Sequence, residues 1–283
     1  MHLLTYVASA LLTFGALVVH HDSHNIKTVT YNLKSDKIKK SFSFALICDL
    51  HGKNFGFDNE AIVERVLDAE VDFVVIGGDL ITAKYDFLIE DAIALVKRLA
   101  SICPVYYGIG NHEARLRWNE DFYGMSFDEF VHIITDCGAI VLDNKAYHDM
   151  DKGIFIKGLD IERKYYKKRE KHKLSASYIE QLIGKRGSDE YELLIAHDAE
   201  YAKTYDEYGA DLTVCGHLHG GIVRLPGNRG LISPRFKLFP KYAGGLLKEF
   251  SRPIIVSRGI GLHTLPSRMF NPCEFDVIRV KKI

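Results

Sequence analysis

The sequence predicts an α/β fold in which a sheet, or two stacked sheets, is covered by helices, and three patterns carry that prediction. Apolar runs of strand length alternate with segments of helical spacing through the first half of the chain. Strand-like runs then dominate the second half. Several of these runs stop at a glycine beside Asp, Asn or His, as ligand-binding loops do at the carboxyl edge of a sheet. With 283 residues, 47% of them hydrophobic, the chain can bury one large core or two smaller ones, and no Ser-, Pro- or Gln-rich linker divides it.

Residues 26–48 hold two extended stretches joined by a polar turn. The second, 42–48, is apolar almost throughout, as a strand buried on both faces must be, and Asp49 and His51 fall at its end. A helix follows over 58–70, with Asp58 as its expected N-cap and Ile62, Val63, Val66 and Leu67 at helical spacing. "VDFVVIGGDL" reads as a buried strand ending at Asp79. A helix over about 86–101 leads into the strand "PVYYGIGNHE". Ser126 and Glu129 form a capping-box pattern that opens a helix closed by Gly138. Residues 138–144 and 153–160 look like strands, and 175–185 a helix. Strands ending at His197 and at His217 follow, and 252–259 and 274–282 add two more.

The amino-terminal segment differs in character. Residues 3–19 carry no charge and no proline. As a helix they would measure roughly 25 Å, against about 30 Å for a bilayer core. The expectation is an uncleaved membrane anchor over 1–24 before a catalytic domain over 25–283, with a cleaved signal or a buried core helix as alternatives. Lys27, Lys34, Lys37 and Lys39 follow the run, which by the positive-inside tendency leaves the domain cytoplasmic rather than extracytoplasmic. Lys+Arg and Asp+Glu balance at 37 each, so no global field draws the protein to nucleic acid. The five cysteines, Cys48, Cys103, Cys137, Cys215 and Cys273, contain no C-x-x-C pair and read as thiols in a reducing compartment.

Five motifs supply groups that can bind metal: Asp49 and His51, then Asp79 in "GGDL", Asn111 in "GNHE", His197, and His217 with His219 in "GHLHGG". Any one of them alone is more often a solvated or hydrogen-bonded residue. Together, each at the end of a strand-like run, they form an ordered set of carboxylates, one amide oxygen and four imidazoles without a thiolate. Such mixed nitrogen and oxygen ligation suits Mn, Fe, Zn or Ni over Mg or Ca. Seven groups exceed the needs of one ion and could hold two divalent metal ions with a bridging carboxylate.

At these residues the sequence resembles the calcineurin-like metallophosphoesterase family, over roughly residues 40–283. The resemblance implies a pair of mixed β-sheets flanked by helices. It implies that Asp49, His51, Asp79 and His219 bind one ion, and that Asp79 bridges to a second held by Asn111, His197 and His217. It also implies that His112 protonates the leaving group or stabilises the phosphoryl oxygens, with Glu113 orienting it, while a metal-bridging hydroxide attacks phosphorus. An imidazole near its own pKa suits that proton transfer. The "GHLHGGIVRLP" run, the "VSRGIGLHTLPSR" tail and the apolar start resemble the membrane-anchored branch, some of whose members resemble hydrolases of UDP-2,3-diacylglucosamine. Ile222, where Gln often follows the glycine pair, and Asp198, after His197, depart from the common pattern.

The expected substrate is therefore a phosphorylated small molecule or a lipid-linked compound, cleaved at a phosphodiester or pyrophosphate. A general phosphomonoesterase or protein phosphatase and a non-catalytic metal-binding scaffold are the alternatives. Arg258 and Arg268 are candidates for a phosphate clamp, since guanidinium pairs bidentately with phosphate oxygens. The basic run 162–173 and the mixed apolar and basic loop 231–250 are further candidates for substrate contact.

Overall fold

The computed structural model describes residues 2–84, 89–167, 172–187, 189–225, 229–232, 238–262 and 267–283. The amino-terminal helix α1 (His2–His24) leads to β1 (Ile26–Ser35), β2 (Phe42–Ile47), α2 (Glu60–Ala69), β3 (Phe73–Ile76), α3 (Glu90–Ala100) and β4 (Val105–Gly108). Three helices then run consecutively, α4 (Asn111–Trp118), α5 (Glu120–Tyr123) and α6 (Phe127–Asp136). Next come β5 (Ala139–Leu142), β6 (Ala146–Asp149), β7 (Ile154–Leu159), α7 (Ala176–Ile183), β8 (Tyr191–Asp198), α8 (Ala202–Tyr208) and β9 (Leu212–Gly216). The chain closes with β10 (Val223–Leu225), β11 (Arg229–Ile232), β12 (Gly245–Leu247), β13 (Ile254–Val256) and β14 (Cys273–Lys282).

Two six-stranded mixed sheets form the body, in the orders β1-β14-β2-β3-β4-β5 and β12-β13-β9-β8-β7-β6, with β10 and β11 as a separate ribbon. Strand parity sorts the core into layers. Phe44, Leu46, Phe73 and Val75 face the second sheet, where they meet Ile156, Leu193, Ile195 and Val214. Ala45, Ile47, Val74 and Ile76 face the other way, onto Ile62, Leu95, Leu99 and Phe130 of α2, α3 and α6. The outer face of the second sheet packs Leu194, Ala196 and Val256 against Ile179 and Tyr205 of α7 and α8. The predicted sandwich of two mixed sheets between helices is what forms, and β2, β3 and β4, like β7, β8 and β9, run parallel and deliver their carboxyl ends to one edge.

Several local expectations shift. Ser126 caps α6 as expected, its hydroxyl accepting the Glu129 N–H at 3.1 Å. Asp58 does not cap α2: it lies in a 3-10 turn, and Asn59 is the residue before the helix. The strand expected over "PVYYGIGNHE" ends at Gly108, and α4 starts at Asn111. The two extended stretches of 26–48 are not a hairpin, because the carboxyl-terminal β14 lies between β1 and β2 and pairs parallel with β1.

The membrane-anchor expectation for residues 3–19, and the cytoplasmic or extracytoplasmic placement that depended on it, is overturned: among the described residues no helix is long and apolar enough to cross a membrane. The last turn of α1 is also tied into the domain. Asp22 and Ser23 are buried, the Asp22 carboxylate accepts the Asn271 N–H at 2.8 Å, and Lys53 donates to the Ser23 carbonyl. The apolar residues Leu3, Leu11 and Leu12 farther up the helix are exposed.

Candidate metal centre

Each candidate ligand sits just beyond, or at the end of, a strand. Asp49 and His51 follow β2, Asp79 follows β3, Asn111 follows β4, His197 is in the last turn of pleat of β8, and His217 and His219 follow β9. Five of the seven, Asp49, His51, Asp79, His217 and His219, hold positive φ between 50° and 71°. Such left-handed backbone costs on the order of 1–3 kcal/mol per residue and persists only where surrounding structure dictates it. Glycine makes the closest approach possible. A Cβ on Gly78 would lie 2.5 Å from the Gly110 nitrogen, and one on Gly110 would lie 2.3 Å from Asp79 Oδ1.

The side chains converge. Asp49, His51 and His219 present ligand atoms within 4.8 Å of one another, and so do Asp79, His197 and His217, and His51, Asp79 and His112. His51 Nε2 faces His219 Nε2 at 3.0 Å. Asp79 Oδ2 lies 3.1 Å from His197 Nε2 and 3.8 Å from His51 Nε2, between the two histidine groups. Asp49 Oδ1 is 3.6 Å from His219 Nε2 and 3.8 Å from His197 Nε2. Asn111 Oδ1 is buried and has no hydrogen-bond partner among the described residues, which fits an amide oxygen directed at a cation.

Outer contacts fix the imidazoles. His197 Nδ1 donates to the Gly77 carbonyl at 2.8 Å, so Nε2 is the nitrogen aimed at the carboxylates. His217 turns Nδ1 toward His197 Nε2 at 3.3 Å and Nε2 toward Asp198 at 3.7 Å. Burial pushes the Asp49 carboxyl up to about 7 against the attraction of His197. Burial opposes charge on His197, yet Asp79 and Asp49 carry its pKa up to about 10. A proton on His197 thus supplies positive charge where the donor set calls for cations.

A family model described as calcineurin-like phosphoesterase matches residues 42–221, more than half of the chain and the stretch that carries all seven groups. The protein belongs to that family. Among its relatives, an uncharacterized metallophosphoesterase of Helicobacter pylori is 27% identical over 252 residues, spanning 87% of this chain and 61% of its own length. The metallophosphoesterase YkuE of Bacillus subtilis is 24% identical over 266 residues, covering 92% of this chain and 87% of the relative. The chain thus spans about three fifths of the Helicobacter relatives it matches. A solved structure, a putative 5'-nucleotidase from Staphylococcus aureus in complex with alpha-ketoglutarate, aligns with a TM-score of 0.43 at 16% identity, over 78% of this chain and 49% of that one, too remote to inform the site.

In this member of the family His112 lies edge-on to His51, with ring centroids 4.8 Å apart. Its Nδ1 accepts the Ala83 N–H at 3.0 Å, which places the imidazole hydrogen of the neutral ring on Nε2. Glu113, expected to orient His112, makes its hydrogen bonds to the neighbouring backbone and to Tyr107. Its carboxylate accepts the N–H groups of Asp79, Leu80, Ile81 and Gly110 and the Tyr107 hydroxyl, which fastens the loop after β3 to the start of α4. Burial, with the Asp79 charge adding to it, pushes the Glu113 carboxyl up to about 7.

The two arginines proposed as a phosphate clamp both make contacts within the chain. Arg268 is buried and its guanidinium donates to the carbonyls of Arg258, Gly259, Gly261 and Asn271, bracing the loop behind Asp49. Arg258 pairs with the buried Glu274 carboxylate. The sequence reading missed Asn271, whose amide donates to the carbonyls of His219 and Gly221 at 2.7 and 2.6 Å and so sets the loop carrying both histidines. No motif marks it, because it acts across 52 residues through backbone carbonyls. Residues 168–171 of the basic run, 233–237 of the mixed loop and 263–266 of the tail lie outside the described residues.

Proposed function

We propose that this protein is a metal-dependent phosphoester hydrolase with a two-ion centre. Asp49, His51, Asp79 and His219 would hold one ion, and Asp79, Asn111, His197 and His217 the other. The observation that carries the reading is the position of the Asp79 carboxylate, within 4 Å of imidazole nitrogens from both groups. The donor set fits Mn, Fe, Zn or Ni. Two such ions, when bound, supply an acidified water as nucleophile and neutralise charge on the phosphoryl group.

The chain's own residues do the rest. Gly77 holds His197 in the tautomer that offers Nε2, and Asp198 faces the outer nitrogen of His217. His112, with its Nδ1 committed to Ala83, keeps a hydrogen on Nε2 for the leaving oxygen. Asp79 Oδ1 accepts the His112 N–H at 2.8 Å, so the proposed bridging carboxylate also seats the residue that would act as acid. The neutral charge balance disfavours nucleic acid, and the substrate we favour is a phosphodiester or pyrophosphate of a lipid-linked or nucleotide compound.

The test is hydrolysis by the whole protein of a phosphomonoester, a bis-aryl phosphodiester and a UDP-linked acyl sugar, each with Mn²⁺ and with chelator. Turnover that needs metal and falls by at least about 10²-fold in His112→Ala establishes the hydrolase. Preference for the monoester would replace the diester reading with a general phosphatase. No turnover by folded, metal-loaded protein would leave a binding scaffold.

A further inference from the structure

Beside the proposed metal centre lies a cavity of about 950 Å³ that none of the seven candidate ligands lines. Its walls come from the segments that follow β7, β8 and β9, α8 among them, together with residues 238–242. Those after β8 and β9 continue directly from His197 and carry His217 and His219. Leu218, between the two histidines, is itself a wall residue, and Tyr165 precedes Tyr166, whose ring stands 6.0 Å from that of His217. The cavity therefore adjoins the centre on the side of α8.

The lining has two chemical characters. Leu174, Leu218, Leu238, Phe239, Pro240 and Tyr242 give it an apolar surface. Lys167, Lys173, Lys203 and Lys241 set four positive charges around it against two carboxylates, Glu200 and Glu207. The Lys203 ammonium is 3.9 Å from Glu207, a loose pair, and Lys241 sits 4.9 Å above the ring of its neighbour Tyr242.

A second, independent feature is the rim. Leu238 and Phe239 are 67% and 62% exposed, although their backbone is pinned: Phe239 donates to the Leu231 carbonyl at 2.9 Å, and Leu238 bridges to Ile232. Phe239 is held at φ 51°, a conformation that a bulky residue rarely adopts outside a strained site. The fold thus fixes two large apolar side chains in solvent at the mouth of a cationic cavity.

We propose that this cavity binds the part of the substrate beyond the scissile phosphate, and that this part is an anionic amphiphile: an apolar chain or ring bearing a further negative charge. The volume is at the upper end of small-ligand pockets, which suits a large group rather than a simple alcohol. The proposal rests on the phosphoester-hydrolase reading for the word substrate, but the binding site it names can be tested without turnover.

The probe is 1-anilinonaphthalene-8-sulfonate, apolar and anionic, with its uncharged counterpart N-phenyl-1-naphthylamine, both followed by fluorescence on the folded whole protein. Lys203→Glu with Lys241→Glu should weaken the sulfonate at least about tenfold and the neutral dye much less. Phe239→Asn, which keeps a residue tolerant of positive φ, should weaken both dyes. Unchanged affinities in folded variants overturn the proposal. In turnover, the double variant should lower the ratio of kcat/KM for a chain-bearing anionic diester over that for bis(p-nitrophenyl) phosphate by about tenfold. A constant ratio would overturn the role in substrate selection. Dye binding that responds as expected in a protein that turns over no ester supports the site and sinks the hydrolase reading instead.

Discussion

The carboxylate of Glu113 accepts the backbone N–H of Asp79 at 2.9 Å, so the loop that carries the central carboxylate is held by a residue on another element. The same two oxygens take the N–H groups of Leu80 and Gly110 and the Tyr107 hydroxyl. Glu113→Gln puts an amide NH₂ among donors that all need an acceptor. A buried group left unsatisfied costs about 1–3 kcal/mol. The variant is expected to lose about 2 kcal/mol in denaturant unfolding and to bind metal more weakly, with the second effect measurable by calorimetry. Unchanged stability would show that the loop holds its positive-φ geometry without Glu113.

His112 should separate catalysis from metal binding. It is buried, edge-on to His51, and its Nδ1 is occupied by the Ala83 N–H. His112→Ala is expected to lower kcat by roughly 10²–10⁴-fold, the usual contribution of a general acid, while both ions remain bound. Metal content by elemental analysis beside steady-state kinetics makes the test. Loss of an ion in the variant would make His112 a ligand instead, since its ring nitrogen lies within 4.8 Å of those of His51 and the carboxylate of Asp79.

The sandwich and the site were legible for different reasons. Strands buried on both faces leave unbroken apolar runs, so β2, β3, β8 and β9 could be found from composition alone. The candidate ligands were legible because chemistry restricts such groups to Asp, Asn and His beside glycine, at strand ends where left-handed backbone is tolerated. The start of α4 was hidden by the apolar run before it, although Glu113, three residues after Gly110, is a capping signal. What Arg268 and Asn271 touch was not legible, because their partners are backbone carbonyls set by tertiary packing. The amino-terminal apolar run misled for a related reason: composition does not reveal that Asp22 and Ser23 are buried against the loop before β14.

At the end of the second sheet far from the candidate metal centre, Asp211 holds a cationic cluster. Its carboxylate accepts from Lys37 at 2.8 Å and from Arg186 at 2.8 and 2.9 Å, and takes the Glu192 N–H at 3.0 Å. Burial works against the charge, but these donors hold the carboxyl below its usual range. A depressed folded-state value stabilises the fold above the unfolded carboxylate pKa of about 3.9 and loses that contribution as pH falls through the folded value. Asp211→Asn is therefore expected to destabilise the protein near neutral pH and to flatten the acid limb of a melting-temperature profile below about pH 4. Parallel acid limbs in the two proteins would show that other carboxylates govern acid unfolding.

The position of Asp79 makes a prediction about stoichiometry. Its Oδ2 approaches His197 on one side and His51 on the other, so removal of its charge should weaken both ions, whereas His217→Ala should weaken one. Elemental analysis after loading with Mn²⁺ and desalting is expected to give two equivalents for the native protein, about one for His217→Ala and fewer than one for Asp79→Asn. Binding to the folded state also stabilises it, by about 2.7 kcal/mol for free metal at a hundred times the dissociation constant. Chelation should therefore lower the melting temperature of the native protein by several degrees, and that of Asp79→Asn hardly at all. Part of the loss on chelation is offset by the proton that His197 takes up between Asp79 and Asp49. Two tightly held equivalents in Asp79→Asn would refute the bridging role, because the remaining ligands would then suffice for two separate sites.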